Sequence, residues 1–352
     1  MNENRVAVMG HGRFGSAFSE LLERAHFTVR AFDPLARVPP HRRAETWRDA
    51  AREARFVVLA VPLPALEGVL IELIPELRPN QTVFDVGSVK VPVQELFQQA
   101  LGRTIPWVCT HPVFGPLSLL RGEGPARVVV CPNEAHPDAV DAVEALYRKL
   151  ECVVVELTPQ AHDRLMAESH ALAFFVAKGL LDIGAAEDQE VAPPSFRAML
   201  QTVASVKEDA GHLFQTIHRD NPYASEARAR FLRALHAVHE QLQKPEEPDG
   251  SSPNPLQPGL PPAPLPPGLQ ETRAFIDALD QELIELLARR ARLSRRAGHS
   301  KDATGHPVRD PDREAKMLKK RADWARQADL PVDETQDVFE AVLRLSRSLQ
   351  RR

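Results

Sequence analysis

Short apolar runs recur along the first half of the chain, each closed by polar or turn residues. They are Arg5–Met9 (RVAVM), FTVRAF leading into Asp33, RFVVLAVP (55–62), TVFDVG (82–87), WVCTH (107–111), ARVVVC (126–131) and CVVVEL (152–157). Stretches of helical period lie between several of them, starting with SAFSELLERA. This alternation predicts a doubly wound α/β sheet. After Leu157 the period changes to that of helices. HDRLMAESHALAFFVAKGLLDIGAA places Leu165, Met166, Ala173, Val176 and Leu180 near one face, and two more helical stretches follow, SFRAMLQTVASVKEDAGHLFQTI and YASEARARFLRALHAVHEQLQ. Past residue 268 a single helix is predicted from Leu269 to about Gly298, with Ile276, Leu279, Leu283, Leu286, Leu287 and Leu293 on one stripe. Two shorter helices are expected at about Asp310–Gln327 and Glu334–Gln350.

Between these halves, Pro245–Pro267 holds ten prolines in 23 residues. Proline lacks the N–H and fixes φ, so neither helix nor ladder can run through it. The stretch reads as an extended linker reaching ~70 Å at ~3.1 Å per residue. The expected organisation is a dinucleotide-binding domain over 1–158, a helical substrate and dimerisation domain over 159–244, a Pro-rich linker over 245–268 and a helical domain over 269–352.

Composition narrows the function classes. The 352 residues are 43% hydrophobic and 26% charged, with a net charge of −4, which gives no hint of nucleic acid. No apolar run reaches the ~18–20 residues needed to span a bilayer. MNENRVAVMGHG has no basic n-region and apolar h-region, so a signal peptide is not expected and the cytoplasm is the natural compartment. Three cysteines without CxxC spacing (Cys109, Cys131, Cys152) argue against disulfides and against a cysteine zinc site. Residues 269–352 carry 18 basic against 15 acidic side chains, leaving −7 for the rest. An arginine-rich helical module suits an anionic ligand.

The first strand is followed by GHGRFG and then a helix. Gly10, Gly12 and Gly15 make the G-x-G-x-x-G of a Rossmann-type nucleotide fold. The first glycine permits the tight turn, the second lets backbone approach a pyrophosphate, and the third lets helix pack close to strand. The helix N-terminus offers free N–H groups to phosphates. Asp33 stands 18 residues after Gly15, where an acid accepts hydrogen bonds from ribose hydroxyls and repels a 2′-phosphate, favouring NAD over NADP. Arg37, four residues on, points the other way.

Two loops at strand ends carry candidate chemistry. DVGSVK runs from Asp85 to Lys90, and HPVFGP from His111 to Pro116. Ligands of open α/β sheets bind beyond the carboxyl ends of strands. There His111 suits a base that takes a hydroxyl proton as hydride leaves the substrate, and Ser88 and Lys90 could orient it or bind an anion. Taken singly, each loop also fits plain turn glycines, a proline stop and a surface lysine.

The glycine turn, AVPL, DVGSVK and HPVFGP, in this order and spacing, resemble prephenate dehydrogenases over residues 5 to about 240. The resemblance implies NAD-dependent oxidative decarboxylation of prephenate to 4-hydroxyphenylpyruvate, a step toward tyrosine. It implies His111 as base for the ring hydroxyl, Ser88 as its hydrogen-bond partner and Lys90 as the motif lysine. His162–Asp163 and Ser169–His170 match the family's HD and SH signatures. Two positions depart from the pattern. Ala173 stands where a second histidine is usual, and Ser205 where an arginine grips prephenate's ring carboxylate, with Arg197 and Lys207 nearby. A substrate other than prephenate, such as arogenate, or a ligand-sensing role is the alternative.

The last segment resembles the all-helical chorismate mutases across almost all of 269–352, on Arg273, Arg290, Lys301, Asp310, Arg313, Glu314, Ser346 and Gln350. The resemblance implies that these positions serve the substrate, in an intertwined homodimer. Arg273 and Arg290 are 17 residues apart. That is ~25 Å along a helix at ~1.5 Å per residue, too far for both to grip one small molecule from a single chain. The rearrangement of chorismate to prephenate needs no nucleophile, metal or proton transfer, only a held conformer and stabilised charge on the breaking ether. Arg273, Arg290 and Arg313 suit carboxylates, Lys301 and Gln350 the ether oxygen, and Glu314 the ring hydroxyl. The whole reading is a bifunctional enzyme whose C-terminal product is its N-terminal substrate.

Overall fold

The apolar runs form strands that alternate in side-chain direction and are buried on both faces. In the computed structural model, which describes residues 2–121, 125–185, 192–208, 211–243, 269–304 and 310–350, eight strands carry the first part of the chain. The order is β1 (Asn2–Met9), α1 (Arg13–Arg24), β2 (Thr28–Phe32), α2 (Trp47–Ala51), β3 (Ala54–Leu59), α3 (Leu63–Leu73), β4 (Thr82–Asp85), α4 (Val91–Ala100) and β5 (Trp107–Val108). Then come β6 (Thr110–Pro112), α5 (Pro116–Arg121), β7 (Arg127–Val130), α6 (Pro137–Lys149) and β8 (Val153–Glu156). The first five strands make one parallel sheet in the order β2-β1-β3-β4-β5. Ala7, Met9, Val57, Leu59 and Val83 enter one core cluster, while Val6, Val8, Phe56, Val58 and Phe84 enter the other. Burial on both faces is why these strands read as continuous apolar runs.

One expected strand is divided. WVCTH breaks at Cys109, where Trp107–Val108 end the parallel sheet and Thr110–Pro112 begin a second sheet, β6-β7-β8. Asp85 makes the break. Its carboxylate accepts the Thr110 N–H at 3.0 Å, and its carbonyl accepts the Thr110 hydroxyl. Thr110 therefore leaves the β4 ladder and pairs antiparallel with β7. His111 sits in this second sheet, opposite Val129.

Beyond β8 the chain is helical: α7 (Pro159–Met166), a π turn (Ala167–Ala171), α8 (Leu172–Asp182), α9 (Pro194–Glu208), α10 (Gly211–Gln215), a second π turn (Thr216–Asp220) and α11 (Ala224–Gln243). Thr158 caps α7 by accepting from Ala161 N. The linker 245–268 lies outside the described residues.

The three remaining helices, α12 (Leu269–Thr304), α13 (Pro311–Gln327) and α14 (Val332–Gln350), belong to a second compact unit with the short segment from Leu117. α12 runs six residues past the boundary expected at Gly298. One glycine in a helix interior costs only ~1 kcal/mol, which a long helix packed on α14 absorbs. α14 packs against both α12 and α13, burying Ala322, Ala325, Leu343, Ser294 and Ser346. Ile276, Leu279, Leu283, Ile284 and Leu286 stay exposed along α12.

Candidate functional site

The glycine turn has the steric character its motif requires. Gly10 sits at φ +96°, and a Cβ on it would lie 2.4 Å from the Ala60 carbonyl oxygen. A Cβ on Gly15 would meet the Gly10 oxygen at 2.2 Å, so helix and turn touch backbone to backbone. Gly12 is different: nothing lies within 4 Å of its Cβ direction. That open space is at the N-cap of α1, where no side chain caps the helix and no acidic residue stands in the first turn. The cradle fits a diphosphate. Asp33 accepts from His11 N at 2.7 Å, Leu35 N at 2.8 Å and Ala36 N at 2.7 Å. Partial burial opposes its ionisation, but the N–H groups of Ala36, His11 and Leu35 outweigh it and hold the carboxyl below its usual range. An ionised acid thus stands at the end of β2, while Arg37 is exposed.

The loop after β6 lies against this turn, with the Phe114 ring 6.1 Å from that of Phe14 in α1. His111 is buried, and its Nδ1 lies 2.8 Å from Nε2 of His162. His162 Nδ1 lies 2.7 Å from Asp163 Oδ1. Asp163 also accepts from the N–H groups of Lys90 and Val91, both at 2.8 Å, at the start of α4. Both backbone donors point at the Asp163 oxygens, which accept. The proton order follows. His162 donates from Nδ1 to Asp163, so its Nε2 is a lone pair. His111 then donates from Nδ1 to that lone pair, which leaves a lone pair at His111 Nε2. Burial, then proximity to the titratable His162, Lys90 and His170, pushes the His111 pKa well below 6.5. The result is a neutral imidazole with a basic nitrogen turned away from its support.

Lys90 is fully buried. Its ammonium pairs with Asp85 and donates to the Thr110 carbonyl at 2.7 Å. It braces β4 against β6 and thereby the strand that carries His111. The resemblance implied Ser88 as partner of His111, but the described ring partner is His162. Ser88 is half-buried on the Asp85–Lys90 loop and makes no hydrogen bond to the ring.

Two further histidines were less legible. His170 lies in the first π turn and His218 in the second, and the two turns pack together. Burial lowers both pKa values to about 4, with His162 acting on His170, and Arg228 then His170 acting on His218. His170 was flagged by its SH pair, whereas nothing in the local pattern singled out His218 or Arg228. Arg197 is exposed on α9, and the side chains of Ser205 and Lys207 lie outside the described residues.

In the C-terminal unit, Arg290 donates to the Ser346 hydroxyl and, at 3.3 Å, to the Val342 carbonyl. Burial, then the neighbouring Arg321 guanidinium, lowers the Arg290 pKa, as expected of cations gathered together. Glu314 pairs with Arg347 at 2.8 Å. Asp310 caps α13, accepting from Arg313 N at 3.0 Å, and Arg313 itself is exposed. Lys301 is half-buried near the end of α12. The side chains of Arg273 and Gln350 lie outside the described residues. Arg321, stacked 4.9 Å over Phe339, and Arg347 were not anticipated, because each reads in sequence as one more solvated charge.

Known proteins match in both parts. The family model for the nucleotide-binding domain of prephenate dehydrogenase covers residues 41–156, and that for type II chorismate mutase covers residues 272–351. A probable arogenate/prephenate dehydrogenase of Methanocaldococcus jannaschii is 25% identical over 202 residues, 54% of this chain and 44% of the relative. This chain thus spans under half of that relative's length. The T-protein of Haemophilus influenzae is 38% identical over 78 residues, 22% of this chain and 21% of its own. A crystal structure of prephenate dehydrogenase from A. aeolicus, with hydroxyphenyl propionate and NAD+, shares the fold at a TM-score of 0.56 and 19% identity, over 69% of this chain and 91% of that one. The chain therefore joins a dehydrogenase domain of the prephenate/arogenate type to a type II chorismate mutase domain.

Proposed function

We propose that the protein is a bifunctional enzyme of tyrosine biosynthesis, converting chorismate to prephenate and prephenate, with NAD, to 4-hydroxyphenylpyruvate. The observation that carries the dehydrogenase half is the His111–His162–Asp163 chain, which leaves one basic nitrogen free. His111 Nε2 takes the proton of the ring hydroxyl. As His111 becomes cationic, its Nδ1–H bond to His162 strengthens, and Asp163 behind His162 stabilises the charge. NAD, when bound in the glycine cradle, supplies the hydride acceptor. Loss of CO₂ then makes the ring aromatic, so the protein's work is positioning and removal of one proton. Asp33 supports NAD over NADP.

In the mutase half, Arg290, held by Ser346, and Glu314, held by Arg347, sit on helices joined through α14. Arg290, with Arg273 from a second copy, would grip the carboxylates, Arg313 nearby acceptors, Lys301 and Gln350 the ether oxygen. The exposed apolar stripe on α12 supports a homodimer. No described helix is long and apolar enough to cross a membrane, and the cytoplasm is the compartment proposed.

The test is direct. Purified protein is given chorismate with and without NAD+, and chorismate loss and NADH absorbance are followed. Chorismate loss without NAD+, and NADH formation only with it, are expected. Chorismate loss with no NADH would leave a mutase joined to a dehydrogenase domain of other substrate, and arogenate is then offered in its place. No chorismate loss overturns the mutase half.

A further inference from the structure

His218 is a buried side chain with one ring nitrogen bonded and the other unpaired among the described residues. It is 7% exposed, and its ring packs on Phe214 at 4.3 Å and Phe175 at 6.1 Å. Arg228 Nη1 lies 3.2 Å from its Nδ1 and 2.9 Å from its carbonyl oxygen. A guanidinium can only donate, so Nδ1 accepts and the proton resides on Nε2. That Nε2 is buried and has no hydrogen-bond partner among the described residues. A buried donor left unpaired costs about 1–3 kcal/mol, so such a group in a native fold calls for an acceptor that arrives from outside.

Its position indicates which acceptor. His218 lies in a π turn packed on the π turn of His170, and π turns of this kind recur at functional sites. Asn221, which closes the turn of His218, donates to the Asp163 carbonyl at 2.8 Å, so this turn is tied to the helix that carries His162. The ring of His111 is bonded to His162, whereas that of His218 meets Phe214, Phe175 and Arg228, so His218 joins the same helical wall without touching the proton-abstracting base. The candidate substrates carry their hydroxyl at one end of the ring. The opposite ring carbon bears the carboxylate and the side chain, a 2-oxo acid in prephenate and a 2-amino acid in arogenate. A fixed N–H donor backed by a guanidinium complements a keto or carboxylate oxygen and opposes an ammonium.

We propose that His218 is a specificity-determining residue of the dehydrogenase site, its Nε2–H donating to the 2-oxo acid side chain and selecting it over the 2-amino acid. This rests on the dehydrogenase reading above. Arg228 acts through His218 as a positioning residue.

The test uses the full chain, NAD+, and prephenate or arogenate as substrate, with NAD+ affinity measured alongside to report folding. His218→Phe keeps the ring packing and removes the donor. It should raise KM for prephenate about tenfold or more with kcat little changed, and cut the prephenate-to-arogenate preference. His218→Gln, which restores an N–H, should recover part of both. Should His218→Phe lose NAD+ binding, Arg228→Met supplies the same comparison by freeing the tautomer. An unchanged KM for prephenate, or equal losses on both substrates with no rescue by His218→Gln, overturns the proposal. Wild-type protein that oxidises neither substrate overturns the dehydrogenase reading itself, and this inference with it.

Discussion

His111 and His162, 51 residues apart in sequence, meet at 2.8 Å with their rings 83° from parallel. Each brings a different element to the contact. His111 stands on a strand whose backbone is fixed by Asp85, and His162 on a helix tied by Asp163 to the start of α4. The pair therefore locks the first helix of the helical region onto the nucleotide-binding fold, and the lock sets the tautomer of the base.

Substitutions along this chain should separate proton removal from binding. His111→Asn should lower dehydrogenase kcat by about 10²–10⁴-fold, the usual cost of losing a positioned base. NAD+ affinity and mutase activity should hardly move. His162→Gln should cost less, because the amide can accept from His111 Nδ1 but cannot relay charge to Asp163. A His111→Asn enzyme that kept most of its rate would remove His111 from the role of base, and steady-state kinetics on prephenate decide it.

The pH dependence has a definite sign. His111 is held well below 6.5 by burial and then by its titratable neighbours His162, Lys90 and His170, so it stays neutral as pH falls through the ordinary histidine range. The acid limb of dehydrogenase kcat/KM should lie below pH 6.5. Stability behaves differently. His170 and His218 titrate near 4 in the folded protein against 6.5 in the unfolded chain. Between those values the unfolded state binds more protons, so stability is full above pH 6.5 and falls as pH drops toward 4. Urea titrations at pH 7.5 and 5 should show a lower midpoint at pH 5, and the difference should shrink in His170→Phe.

The glycine turn, the strands and the three C-terminal helices were legible because each rests on local periodicity or on one residue's steric need, as at Gly10 and Gly15. What was not legible depends on pairing at a distance. WVCTH has nothing in it to say that Thr110 will be taken by Asp85, 25 residues earlier. HD and HPVFGP could be noted separately, but not that they join through two ring nitrogens. The π turns carrying His170 and His218 follow from helices packing on each other, and no residue pattern marks them. Lys90 looked like a surface or catalytic lysine, because burial of its ammonium depends on Asp85 and the Thr110 carbonyl converging on it.

That burial makes Lys90 a test of architecture. Lys90→Met removes the cation facing Asp85 and leaves a buried carboxylate short of a partner. Breaking a buried pair from one side typically costs about 3–5 kcal/mol, a large share of a domain's stability. The double variant Asp85→Asn/Lys90→Met should recover part of the loss, since no unpaired charge remains. Equilibrium unfolding in urea reads both. A Lys90→Met protein as stable as wild type would show that Asp85 is satisfied by Gly87 N and Thr110 N alone.

In the C-terminal unit the long helix makes the sharpest prediction. Arg273 and Arg290 both lie on α12, an uninterrupted helix from Leu269 to Thr304. Their separation of ~25 Å forbids a shared small substrate within one chain. Arg273→Ala and Arg290→Ala homodimers should each be nearly inactive as mutases. In a mixed dimer one site lacks both arginines and the other keeps both. Statistical exchange on refolding makes half the dimers mixed, each with one good site of two, so mixing should return roughly a quarter of wild-type activity. The exposed apolar stripe on α12 gives the second copy a place to seat. Proven heterodimers without recovered activity would rule out a site shared between copies. An Arg273→Ala homodimer with full activity would make Arg273 an ordinary solvated residue.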